Sequence, residues 1–187
     1  MSIPLYLSIE KISLENALGH IEKMTNDNSD YYNYDLKSLN IQKFNNNIKN
    51  GFIVLTMLIS FLEGFLNSII LYCIHQDDPC ILSKKIVEKV DYIYSVYKKD
   101  KAQIKGGRLW QIHIEASKVR NALIHYKYSK VGEGVFVPDF EIGGQYVAEY
   151  FTQKNMIQLY DHYQELSELI AETISLKLNP AVHCVES

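Results

Sequence analysis

A run of 23 residues, 52–74, carries a single formal charge, Glu63, and no other feature of the chain limits its possible folds as strongly. About 20 apolar residues suffice to cross the hydrocarbon of a bilayer, so the run must either span a membrane or be enclosed by the rest of the chain. A charge near the midpoint costs at least about 2.5–3.5 kcal/mol in lipid. Thr56, Ser60, Glu63 and Asn67 are spaced by 4, 3 and 4, which puts them on one stripe of a helix. The pattern predicts a central helix over about residues 41–75, covered nearly all round by the same chain, whose polar stripe meets partners inside the protein. A membrane-associated helical protein is the competing reading.

The remaining segments supply the cover. Leu14, Leu18 and Ile21 recur at helical spacing and predict a helix over 8–24. Residues 25–40 are crowded with Asn, Asp, Ser and Tyr, whose side chains compete for backbone hydrogen bonds and favour a loop. Asp77-Asp78-Pro79 predicts the end of the central helix and the start of another, reaching about Tyr97, because Asp caps and Pro suits the first helical turn. Residues 98–107 read as a charged connector. A further helix over 108–126 has Leu109, Ile112, Ala116, Val119, Leu123 and Tyr126 as its core seam. The helical pattern fails over 131–151, where a small hairpin around Gly143-Gly144 is expected, with Pro138 restricting it to an edge. A last helix, capped by Thr152, carries Met156, Leu159, Tyr163, Leu166, Ile170 and Ile174, and ends before Asn179-Pro180. The predicted fold is all-α: an up-and-down bundle of four to five helices with a small β-hairpin insertion. At 187 residues and 47% hydrophobic, the chain suits one well-cored domain over 1–187.

Three cysteines, Cys73, Cys80 and Cys184, form no regular spacing, and the first residues lack the basic region and cleavage site of a secretory signal. A cytoplasmic protein with packed thiols is expected. Cys73, His75 and Cys80 beside Asp77 and Asp78 match no closed zinc pattern, so no metal and no cofactor is expected. Asp161-His162 reads as surface, and most of the fourteen tyrosines as amphipathic packing.

The net charge of −3 hides an asymmetry. Residues 84–130 hold twelve Lys/Arg against Glu88, Asp91, Asp100 and Glu115, a local balance of +8, so the remainder carries −11. A basic block of this kind favours a polyanion, since phosphate contacts release counterions; a solvated lysine-rich surface gives the same composition.

Within the block lies Arg120-Asn121-Ala122-Leu123-Ile124-His125. A guanidinium offers a planar, permanently charged fork to phosphoryl oxygens, and an imidazole titrates near neutrality. Together they suit ribonuclease chemistry: His125 takes the proton of a ribose 2′-hydroxyl, which attacks the adjacent phosphorus, while Arg120 stabilises the equatorial oxygens and Asn121 orients rather than titrates. The products are a 2′,3′-cyclic phosphate and a 5′-hydroxyl. On a regular helix Arg120 and His125 are about 140° apart, so they converge only if the helix ends near Ile124, if the arginine curls round, or if a second copy contributes across a two-fold axis. Lys118, Lys127, Lys130 and Tyr126 flank the motif as RNA-contact candidates. The structural alternative pairs Arg120 with Glu63 and leaves His125 at a helix end, while His113, seven residues before Arg120, reads as a satisfied helix histidine bordering the same face.

Arg120-Asn121 followed by His125 resembles the R-x4-6-H signature of HEPN domains, and Phe61-Leu62-Glu63-Gly64-Phe65-Leu66-Asn67 is similar to the Leu-Glu-x-x-hydrophobic-Asn segment on the preceding core helix of several HEPN groups. The resemblance covers about residues 41–128. It implies a homodimer with a metal-independent endoribonuclease site at the dimer cleft, acting on single-stranded RNA as a toxin, a phage-defence effector or an RNA-processing nuclease. Carried over, Arg120 and His125 are the catalytic pair, Asn121 assists, and Glu63 with Asn67 supports the arginine from the preceding helix. HEPN toxins silenced by a nucleotidyltransferase antitoxin carry a tyrosine two positions after the histidine; this chain has Lys127 there, flanked by Tyr126 and Tyr128, so the resemblance allows an antitoxin partner while putting control by AMP transfer to tyrosine in doubt. A non-catalytic HEPN-type binding or dimerisation module is the alternative function.

Overall fold

The apolar run does form one long helix. The computed structural model describes residues 9–26, 39–124, 129–131, 135–137 and 141–176, and in it helix α2 (Leu39–Ser68) continues into a π-helical turn, Ile69–Cys73. His75 then takes a left-handed conformation (φ 56°) and Gln76 N–H donates to the Ile70 carbonyl at 3.0 Å, which stops the helix. Helix α1 (Ile9–Ile21) lies against α2.

After α2 the chain is more broken than its pattern suggests. Asp78 does cap the next helix, accepting from Cys80 N–H at 2.8 Å with Pro79 in the first turn, but α3 (Pro79–Leu82) lasts a single turn. The chain restarts at α4 (Ile86–Val96) because Lys85 is extended and its N–H is held by Glu88 Oε2 at 3.0 Å, an arrangement that defines a fresh helix start. The expected connector contains another single turn, α5 (Ala102–Lys105), begun by Asp100 Oδ1 accepting from Ala102 N–H at 2.9 Å. Helix α6 runs Arg108–Ile124.

The region expected to hold one hairpin contains two short antiparallel ribbons. Strand β1 (Ser129–Val131) pairs with β2 (Val135–Val137), Lys130 opposite Phe136, and β3 (Glu141–Ile142) pairs with β4 (Gln145–Tyr146). Only the second ribbon turns at Gly143-Gly144, whose φ values of 61° and 81° are the consecutive left-handed pair that a tight primed turn requires. Val147–Tyr150, expected as strand, is the helical turn α7. Helix α8 (Gln153–Thr173) starts as predicted, Thr152 Oγ1 accepting from Asn155 N–H at 3.2 Å.

Helix α2 packs against α1, α4, α6 and α8, and α8 packs also against α1 and α6. One core joins Leu14, Ala17 and Ile21 of α1 to Leu55, Leu58, Leu62, Phe65 and Leu66 of α2, Ile93 of α4, Val119 of α6 and Leu166 of α8. All six residues of the predicted α8 seam are buried. By length and composition Asn46–Cys73 is long and apolar enough to cross a membrane, but Val54, Leu55, Leu58, Phe61, Leu62, Phe65 and Leu66 are buried in the core, while Phe52, Ile53 and Met57, with Thr56, Ser60, Glu63 and Asn67, are half-buried and Tyr72 is exposed.

Two devices tie the N-terminal half of α2 to the start of α8. The fully buried Asn47 holds Thr25 by both backbone groups, accepting from its N–H at 3.0 Å and donating to its carbonyl at 2.9 Å. That carbonyl also accepts from Gln153 N–H, and Asn26 Oδ1 accepts from Lys154 N–H at 2.7 Å, so residues 25–26 satisfy free amides at the start of α8. Nearby, Gly51 sits under the buried ring of Phe151. A Cβ there would lie 2.6–2.9 Å from three ring carbons. Gly51→Ala is therefore expected to destabilise the protein by about 1–2 kcal/mol, because overpacking outweighs the gain in helix propensity. Urea unfolding checks this, and an unchanged or raised midpoint would contradict it.

Candidate functional site

Helix α6 presents two different faces at its last turns. Arg120 is half-buried, on the side that faces α8, whereas Lys118 and Asn121 are exposed. The reason is register: His113 and Arg120 are seven apart and flank the seam of Ile112, Ala116 and Val119, so both are carried toward the interior. His125, Tyr126 and Lys127 lie outside the described residues, as does the side chain of Lys130 on β1. Ile124 is the last described residue of α6, immediately before His125.

Around Arg120 the interior is polar and aromatic. His113, 2% exposed, has its Nδ1 3.0 Å from the hydroxyl of Tyr163 on α8, with the two rings edge to face. Trp110 stacks at a tilt on the other side of the imidazole, 5.1 Å between centroids. Burial, and then the positive charge of Arg120, push the His113 pKa down to about 4, so at neutral pH this imidazole is uncharged. Burial raises the Tyr163 hydroxyl far above the ordinary tyrosine value, with Arg120 pulling the other way. Tyr150, at the end of α7, is pushed up to about 12 by burial and by the carboxylate of Glu115. Glu115 also accepts from Gly143 N–H at 2.7 Å, pinning the β3–β4 turn to α6.

Arg120 itself makes no ion pair among the described residues, and its buried Nε–H finds no acceptor. The expected Glu63–Arg120 pairing is absent. Glu63 Oε1 instead accepts from Lys89 Nζ of α4 at 2.7 Å. The physical reason is need: the Lys89 side chain is 0% exposed, and a fully buried ammonium requires a counter-charge more than a half-buried guanidinium does. Asn67 lies one helical turn further along α2, half-buried, its Oδ1 likewise without a partner among the described residues.

Sequence reasoning put His113 on the Arg120 face as a satisfied histidine but gave Glu63 to Arg120, and it missed both polar pairs, Lys89–Glu63 and His113–Tyr163. The signals existed. Lys89 is three residues after Ile86 and four before Ile93, on the inward register of α4, and His113 shares the Arg120 face. Among the described residues no group of three or more His, Cys, Asp or Glu side chains is arranged to hold a metal ion. Chemically, the site offers a cation with no ion pair among the described residues and one buried donor, Nε–H, without an acceptor there, beside a neutral, buried imidazole. Comparison with protein-family models, with curated proteins and with solved structures returns no match to this chain.

Proposed function

We propose that this chain is an HEPN-like, metal-independent endoribonuclease that cleaves single-stranded RNA through 2′-hydroxyl attack, working as a homodimer of up-and-down helical bundles in a toxin, defence or RNA-processing role. The observation that carries the reading is the Arg120 guanidinium at the end of α6, five residues before His125, which has no ion pair and a buried Nε–H without an acceptor among the described residues. An anionic phosphoryl oxygen is the kind of acceptor such a group lacks. The neutral, enclosed His113 is unsuited to general-base work on a bound strand, which leaves that role to His125. Arg120 supplies charge to the equatorial oxygens and Asn121, exposed on the same turn, orients the strand or the imidazole.

The second reading, a non-catalytic HEPN-type binding or dimerisation module, draws on the half-burial of Arg120 against the α8 side of the helix. One experiment separates the two. Purified protein is incubated with a labelled mixed-sequence single-stranded RNA in excess EDTA, beside Arg120→Ala and His125→Ala. Cleavage to 2′,3′-cyclic phosphate ends is expected, reduced by about 10²–10³-fold in each variant. No cleavage of a varied pool by folded, dimeric wild-type protein would select the binding module.

A further inference from the structure

The surface that would hold the RNA strand lies away from Arg120, at the corner made by α4, α5 and the first turn of α6. Lys105 Nζ reaches back to α4, donating to Asp91 Oδ1 at 2.6 Å and to the Val87 carbonyl at 3.3 Å, and Lys101 joins the same carboxylate at 3.0 Å. Gln111 of α6 donates to the Lys105 carbonyl at 3.3 Å, so the three elements form one packed corner. A single carboxylate there serves two ammonium groups. The other three acids of the segment are turned to backbone amides: Glu88 to Lys85 N–H, Asp100 to Ala102 N–H and Glu115 to Gly143 N–H. Lys98, Lys99 and Arg108 stand exposed around this corner with no ion pair among the described residues.

Helix α8 carries the reverse sign. On α8, Asp161, Glu165, Glu168 and Glu172 are all exposed and spaced by 4, 3 and 4, so they form one acidic stripe. A polyanion meets attraction at the corner and repulsion along the α8 stripe, which favours the corner. Arg108 and Arg120 are the first and thirteenth residues of α6, about 18 Å apart along the axis and about 120° apart around it, so a strand lying over the corner reaches the site by winding part-way round α6.

We infer that the α4–α5–α6 corner is the docking surface for the phosphodiester backbone of single-stranded RNA, with Lys98, Lys99 and Arg108 as its phosphate contacts. This deepens the ribonuclease reading and rests on it for the identity of the strand. The probe is a fluorescent 2′-O-methyl oligoribonucleotide, which lacks the attacking hydroxyl and stays intact, titrated by anisotropy over a salt series. Lys98→Gln/Lys99→Gln/Arg108→Gln is expected to lower the slope of log K against log salt by about 2, at about 0.7 per lost single-strand contact. Lys23→Gln/Lys49→Gln/Lys154→Gln, with the same charge change among exposed residues elsewhere, is expected to leave the slope unchanged. Equal slopes for the wild type and the corner variant, or equal losses in both variants, would overturn the inference. Corner-dependent binding without cleavage of ordinary RNA would retain the docking surface and remove the nuclease; cleavage with corner-independent binding would do the reverse.

Discussion

Glu63→Ala is expected to cost about 3–5 kcal/mol of stability, because it strands the ammonium of Lys89 in the interior without a counter-charge. The asymmetry of the pair sharpens the expectation. The Lys89 side chain is 0% exposed, whereas that of Glu63 is 47% exposed and can return to water. Lys89→Met, which keeps the length of the side chain and removes the charge, is therefore expected to fall within about 1 kcal/mol of wild type. In the Lys89→Met background, Glu63→Ala is expected to lose most of its cost. Urea unfolding of the four proteins gives the cycle directly, and a Glu63→Ala cost below about 1 kcal/mol would show that the bond is not what holds Lys89 inside. The same background tests the chemistry cleanly: with no Glu63–Arg120 pair to break, RNA cleavage is expected to survive Glu63→Ala unchanged.

Acidification is expected to remove about 3 kcal/mol of stability through His113 alone. The folded imidazole binds a proton only near pH 4, against about 6.5 when unrestrained. Between those values the unfolded chain holds more protons than the folded one, so stability is fully present above about pH 6.5 and falls as pH drops toward 4. Each unit of difference is worth about 1.4 kcal/mol. His113→Gln, which keeps a hydrogen-bonding group beside Tyr163, is expected to be less stable than wild type at pH 7 but to lack this loss, so the two stabilities converge by pH 4. Parallel stability curves over that range would sink the argument.

The helices were readable from the sequence wherever one physical signal dominated. The apolar run at 52–74, the seam of α8 and the capping residues Asp78 and Thr152 each act within a few turns of the chain, and each has its expected role. The breaks around α3 and α5 were not readable, because the capping carboxylates of Glu88 and Asp100 look like ordinary surface charge until their backbone partners are known. The site followed the same rule. Arg120 was conspicuous by type and spacing, but the partner of Glu63 depended on which long side chain was buried deepest, and Lys89 gained that place through the packing of α4 on α2. The two glycines of the β3–β4 turn were recognisable, while the division of 131–151 into separate ribbons and a helical turn was not, since strands of two or three residues are set by what they pack on.

The bond from Lys154 N–H to Asn26 Oδ1 joins positions 128 residues apart, and it makes the order of synthesis matter. The apolar side chains of α2 leave the ribosome long before α8, which covers one of their sides with Met156, Leu159, Tyr163 and Leu166. From the end of α2 at Ser68 to the end of α8 at Thr173, translation at about 5–20 residues per second takes roughly 5–20 s. For that interval a membrane-length apolar helix is present without its final cover, the kind of surface that favours aggregation or entry into a bilayer until α8 is made.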